Sequence, residues 1–117
     1  MSIKYNYDRV IGGLYALSSE PHIQIQINKG AGDLDDVFDC EPLDWLEGLM
    51  RKNKVPDVLY RDINKLYQNI GDYTAGFSLE EEDTLIASIT SPMSDWRIEA
   101  HRLKKALELE FKNKLPT

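Results

Sequence analysis

The chain has one cysteine, Cys40, in 117 residues, so no intramolecular disulfide can form. That usage fits a reducing compartment, and the cytosol is the expected location. Histidine is equally scarce. His22 and His101 share no ligand spacing with Cys40, so a structural zinc site has no ligand set. Paired Glu-x-x-His, a G-x-S-x-G elbow and a glycine-rich phosphate loop are all missing. No uncharged run approaches the ~20 residues of a membrane span. The start, MSIKYNYDRV, has no basic segment leading into an apolar one, so no signal peptide is expected. Without repeats, low-complexity runs or a Gly/Ser linker, residues 1–117 read as one helical domain.

A lack of bases in two places is more informative. The net charge is −6, from twenty acids and fourteen Lys or Arg, and the signs are segregated. Residues 30–50 hold Asp33, Asp35, Asp36, Asp39, Glu41, Asp44 and Glu47 with no base. Residues 66–96 hold Asp72, Glu80, Glu81, Glu82, Asp83 and Asp95, again with none. The bases gather in 51–65 and 97–114.

Most of the apolar pattern repeats at three and four residues, as helices do. Val10, Ile11, Leu14 and Leu17 predict a helix from Asp8 to Ser19, weakened by Gly12 and Gly13. Pro42 suits a first turn, with Leu43, Leu46, Leu49 and Met50 on one face. Pro56 opens the next helix, where Leu59, Ile63, Leu66 and Ile70 line up and Gly71 is the expected stop. Ser78-Leu79-Glu80-Glu81 has the form of a capping box ahead of a buried face of Leu85, Ile86 and Ile89. Ser94 is the expected cap of the last helix, striped by Trp96, Ala100, Leu103, Leu107 and Phe111.

Two segments alternate at period two instead. HIQIQIN at 22–28 has β-branched residues at strand spacing, yet Ser19 can cap it, Pro21 can sit in its first turn, and helix is slightly favoured. Ile3-Lys4-Tyr5-Asn6-Tyr7 is its one possible strand partner. The expected fold is therefore all-α, a bundle or array of about five helices, with room for a minor two-stranded N-terminal β element.

Chemistry narrows further. Asp33, Asp35 and Asp44 fall at positions 1, 3 and 12 of a calcium loop, but Val37 and Phe38 occupy positions 5 and 6, where a ligand and a glycine are needed. Neither a metal nor a cofactor is expected. No carboxylate pair stands out for acid–base work, so a non-enzymatic role is expected. The last helix offers Arg97, Arg102, Lys104, Lys105, Lys112 and Lys114, but acids interleave with them, which describes a solvated face better than a nucleic-acid contact. The acids carry the functional expectation. Aromatic residues lie among them, and a one-sign field steers a partner of opposite sign. The expected contact surface is Asp33, Asp35, Asp36, Asp39, Asp44 and Glu47 anchored by Trp45, with Glu80, Glu81, Glu82 and Asp83 as a second patch.

YQNIGDYTAGFSLEEEDTLIASI (67–89), a helix end, an aromatic turn and an acidic capped helix, together with this overall character, resembles the bacterial immunity proteins. These neutralise nuclease toxins of the contact-dependent growth inhibition and colicin types. The resemblance implies a cytosolic inhibitor that binds one cognate basic toxin at its active site or an adjacent exosite. It contacts no nucleic acid or membrane, and no catalytic residue carries over. The rival expectations are a phage-type anti-defence protein that mimics DNA charge, and a small enzyme or ligand-binding module with a deep polar pocket.

Overall fold

A computed structural model describes residues 2–30 and 36–114. Every regular element among them is a helix: α1 (Ile3–Ser18), α2 (Pro21–Asn28), α3 (Pro42–Arg51), α4 (Asp57–Thr74), α5 (Leu79–Ile86) and α6 (Met93–Lys114). The fold is all-α.

Neither alternating segment is a strand. Ile3 to Tyr7 forms the first turns of α1, which starts five residues earlier than the apolar spacing predicts. The Ser2 side chain caps it by accepting from the Tyr5 N–H at 3.1 Å, and Tyr7 joins Val10, Leu14 and Leu17 on the buried stripe. HIQIQIN is α2, with Pro21 at its first position and Glu20, not Ser19, as the N-cap residue. Ser19 instead closes α1, its hydroxyl donating to the Tyr15 carbonyl at 2.6 Å. The buried positions of α2 are Gln24 and Ile27, one helical turn apart, so the alternation is coincidental to the face that packs. A polar residue in the core is what disguised it.

α1 packs against α6, α3 and α2, α4 packs against α6 and α3, and α5 packs against α2. The core contains Tyr7, Leu14, Leu17, Leu46, Leu49, Ile63, Ile70, Leu103 and Leu107, drawn from the stripes of α1, α3, α4 and α6. Tyr7 stacks on Phe111 at 4.9 Å between ring centroids and donates its hydroxyl to the Lys54 carbonyl. Two glycines set the approach of α3 to α1. A Cβ on Gly13 would stand 2.5 Å from Pro42 Cγ and 2.6 Å from Tyr67 Oη, and one on Gly48 would stand 2.8 Å from Asn6 Nδ2. Residue 6 meets 48 while residue 13 meets 42, so the two helices run antiparallel. The Tyr67 hydroxyl that fills the gap at Gly13 is buried, and burial above all, then Asp39 and Cys40, holds it well above the ordinary tyrosine range.

Three boundaries differ from the sequence expectation. α4 passes through Gly71 and ends at Thr74, and the chain turns away at Gly76, whose φ of +80° suits a residue without a Cβ. α5 stops at Ile86, one turn early, which leaves Ile89 80% exposed instead of buried. α6 begins at Met93, so Ser94 lies inside the first turn, with its N–H donating to the Thr90 carbonyl.

A buried polar knot ties α2 to this end of the fold. The Gln24 amide nitrogen donates to the Ala16 and Leu17 carbonyls, both at 3.0 Å, near the end of α1. Its oxygen accepts from the Arg97 guanidinium, which also donates to the Ile86 and Ser88 carbonyls at the end of α5. Arg97 is thus a structural cation, not part of an open basic stripe.

Candidate functional site

The ion pairs among the described residues lie away from α5. Lys4 pairs with Asp8, Arg9 with Glu41, Arg51 with Glu47, Arg102 with Asp62 and Glu99, and Lys104 with Glu108. Among the described residues, no ion pair involves Glu80, Glu81, Glu82 or Asp83.

The first acidic stretch is built into its own loop and helix. Asp33 and Asp35 lie outside the described residues. Asp36 Oδ1 accepts from the Phe38 N–H at 2.8 Å and Asp39 Oδ1 from the Glu41 N–H at 2.9 Å, two turns that shape the approach to α3. Glu41 receives Arg9 Nη2 on both oxygens at 2.9 Å and the Trp45 indole N–H at 2.6 Å. Those hydrogen bonds, Trp45 first and Arg9 second, hold the Glu41 carboxyl below its usual value. Trp45 also meets Tyr5 edge to face at 5.0 Å, so it is fixed on two sides within the fold. On the outer face of α3, Glu47 pairs with Arg51 at 2.8 Å while Asp44 stays exposed.

The second stretch is more open. Ser78 accepts from the Glu81 N–H and Glu81 Oε1 accepts from the Ser78 N–H, completing the capping box. Three further carboxylates, Glu80, Glu82 and Asp83, follow on α5. The two stretches meet at Asp36 and Glu82, whose carboxyl groups share a hydrogen bond. Desolvation, then Asp36, then Asp83 push Glu82 up to about 7. Beside them, Ile25, Asn28, Lys29, Asp36, Leu79 and Asp83 line a small cavity of about 130 Å³. Asp44 and Glu47 belong to α3, which packs on α1 and α4, whereas α5 packs on α2. Residues 36–41, which lead into α3, are therefore the link between the patches.

A groove of about 690 Å³ runs along the other side of α5. Tyr73 and Phe77 from the end of α4, with Leu85 and Pro92, form its apolar part. Tyr73 is steadied by edge contacts with Trp96 at 5.4 Å and Phe77 at 5.9 Å. Glu80 and Glu81 and the hydroxyls of Ser78, Thr84, Ser88 and Ser91 form its polar part. Ser88 and Ser91 fall outside the residues picked from charge alone, and the signal that reaches them is the base-free run 66–96, which supplies the whole lining. Among the described residues, no group of three or more His, Cys, Asp or Glu is placed to hold a metal ion.

No helix among the described residues is long and apolar enough to cross a membrane. No protein-family model, curated protein or solved structure matches the chain.

Proposed function

We propose that this chain is a non-enzymatic immunity protein that neutralises a basic, nuclease-type toxin by binding it through the acidic face centred on α5. The observation that carries this reading is the row Glu80, Glu81, Glu82 and Asp83, four consecutive carboxylates without ion pairs among the described residues, whereas Asp8, Glu41, Glu47, Asp62, Glu99 and Glu108 each pair with a cation. Burial first, then the like charges of Asp36 and Asp83, push Glu82 up to about 7, and the repulsive part raises the free energy of the unbound state. Cations of a partner remove it. The same field accelerates encounter with a basic surface toward ~10⁸ M⁻¹s⁻¹ at low salt. A toxin that holds phosphates is basic at its active site, and an acidic inhibitor competes there or beside it. In this reading the protein acts in the cytosol and needs no cofactor.

The test is co-expression with the product of the adjacent reading frame. Protection from a toxic neighbour, an isolable complex, and affinity that falls steeply with salt are the expected results. Triple reversal at Glu80, Glu82 and Asp83 to lysine should abolish protection while the helical circular dichroism persists. A neighbour that is harmless, or protection that survives the triple reversal, sinks the proposal.

A further inference from the structure

We infer that the groove between the end of α4, α5 and the α5–α6 loop receives a short cationic segment of the partner protein, with an arginine against Tyr73 and Glu80. This rests on the reading that the chain binds a basic protein.

The groove lining is rich in acceptors and poor in donors. No lysine, arginine, histidine, asparagine or glutamine lines the groove. Its side-chain N–H donors number zero, and most of its hydroxyl protons have internal acceptors. Thr84 Oγ1 donates to the Glu80 carbonyl at 2.9 Å, and Ser91 Oγ donates to Asp95 Oδ2 at 2.7 Å. Ser88 Oγ lies 3.0 Å from Thr90 Oγ1. What faces inward is carboxylate and hydroxyl lone pairs beside aromatic rings. A group that only donates suits such a lining, and arginine and lysine are the side chains with donors and no acceptor. Of the two, the planar guanidinium also stacks on an aromatic ring.

Volume and exposure decide between a lone side chain and a segment. The groove is open to solvent, and its volume of about 690 Å³ is more than one side chain fills. Ile89, in the α5–α6 loop beside the groove, is 80% exposed. An apolar residue flanking the arginine would cover it. The occupant is thus a basic segment with aliphatic neighbours.

The probe is the capped tetrapeptide Leu-Arg-Leu-Arg, titrated into the full ¹⁵N-labelled chain. Its citrulline counterpart keeps the shape and loses the charge. Amide shifts should concentrate in residues 73–92, and both citrulline and Glu80→Lys should weaken binding at least about twofold, the lower worth of one exposed cation–π contact. Asp57→Lys makes the same charge change at the far end of α4 and should leave binding unchanged. Equal shifts over α3 and α5, equal binding of the citrulline peptide, or no binding at millimolar peptide would overturn the groove assignment. The toxin assay separates the two ideas. If Glu80→Lys binds the toxin as wild type does, the groove assignment falls and the immunity reading stands. If wild type binds no toxin, the immunity reading falls, and the peptide map still decides the groove.

Discussion

Gln24 and Arg97 lie 73 positions apart and meet at one atom: the amide oxygen of Gln24 accepts from Nε at 3.1 Å and from Nη2 at 2.8 Å. Through this pair the ends of α1 and α5 are hydrogen-bonded to α2 and α6. The α5–α6 loop, one wall of the candidate groove, is held by it.

Gln24→Leu should therefore cost about 2–4 kcal/mol. It strands the Leu17 carbonyl and part of a half-buried guanidinium, while the Ala16 carbonyl keeps the Ser19 N–H at 3.4 Å, and such losses run to roughly 1–3 kcal/mol each before relaxation. Urea denaturation measures the loss. A double-mutant cycle with Arg97→Met should return a coupling above ~1 kcal/mol, whereas simple additivity would mean the two side chains stabilise the fold independently.

Adjacent glycines of α1 should respond in opposite directions. Gly12 is exposed and a Cβ there meets nothing within 4 Å, so Gly12→Ala should stabilise by roughly 0.5–1 kcal/mol. Gly13→Ala drives a methyl into Pro42 and Tyr67 and should destabilise by about 1–3 kcal/mol. Thermal melts of the two variants should bracket wild type.

Glu82 makes stability fall as pH rises. Its folded value of about 7 stands above its unfolded one, so the native state holds the proton more tightly. The benefit is fully present below the unfolded value near 4.5 and disappears as pH climbs through 7. Burial first, then Asp36 and Asp83, opposes its ionisation, and Lys29 lines the cavity that Asp36 and Asp83 share. Solvent around this partly exposed carboxyl keeps the effect to about 1 kcal/mol or less. Glu82→Gln should match wild type near pH 4 and melt higher at pH 8. Parallel melting curves across that range would contradict the assignment.

Glu41 behaves with the opposite sign. Its folded value is lowered, so its contribution is present above the unfolded value and fades as pH falls through the folded one. Trp45→Phe removes the indole N–H, the first cause of the shift, and leaves Arg9 in place. Carboxyl carbon chemical shifts followed against pH should show Glu41 titrating closer to an ordinary glutamate in the variant. An unchanged midpoint would assign the shift to Arg9 alone.

Helix class, the stripes of α3, α4 and α6, and the capping box of α5 were legible in the amino-acid order, because each depends on neighbours within about one turn. So was the segregation of charge. What local pattern could not reveal was which polar side chain would be buried. Gln24 reads as the outward half of a strand until Arg97 arrives from the far end of the chain to pair with it. Helix ends were likewise decided at a distance: α4 continues past Gly71, and α5 stops where its last carbonyls meet Arg97 instead of another turn.

The candidate site divides in the same way. Sequence alone named the acids, because charge is written residue by residue. Tertiary structure sorted them by the partners each one has. Asp36, Asp39, Glu41 and Trp45 shape or brace the loop before α3, Glu47 is paired, and Asp33 and Asp35 lie outside the described residues. The acids of α5 lie against Asp36 on one side and an aromatic, donor-poor groove on the other. Composition sets how much charge the chain carries, but only packing decides which charges are left without a partner.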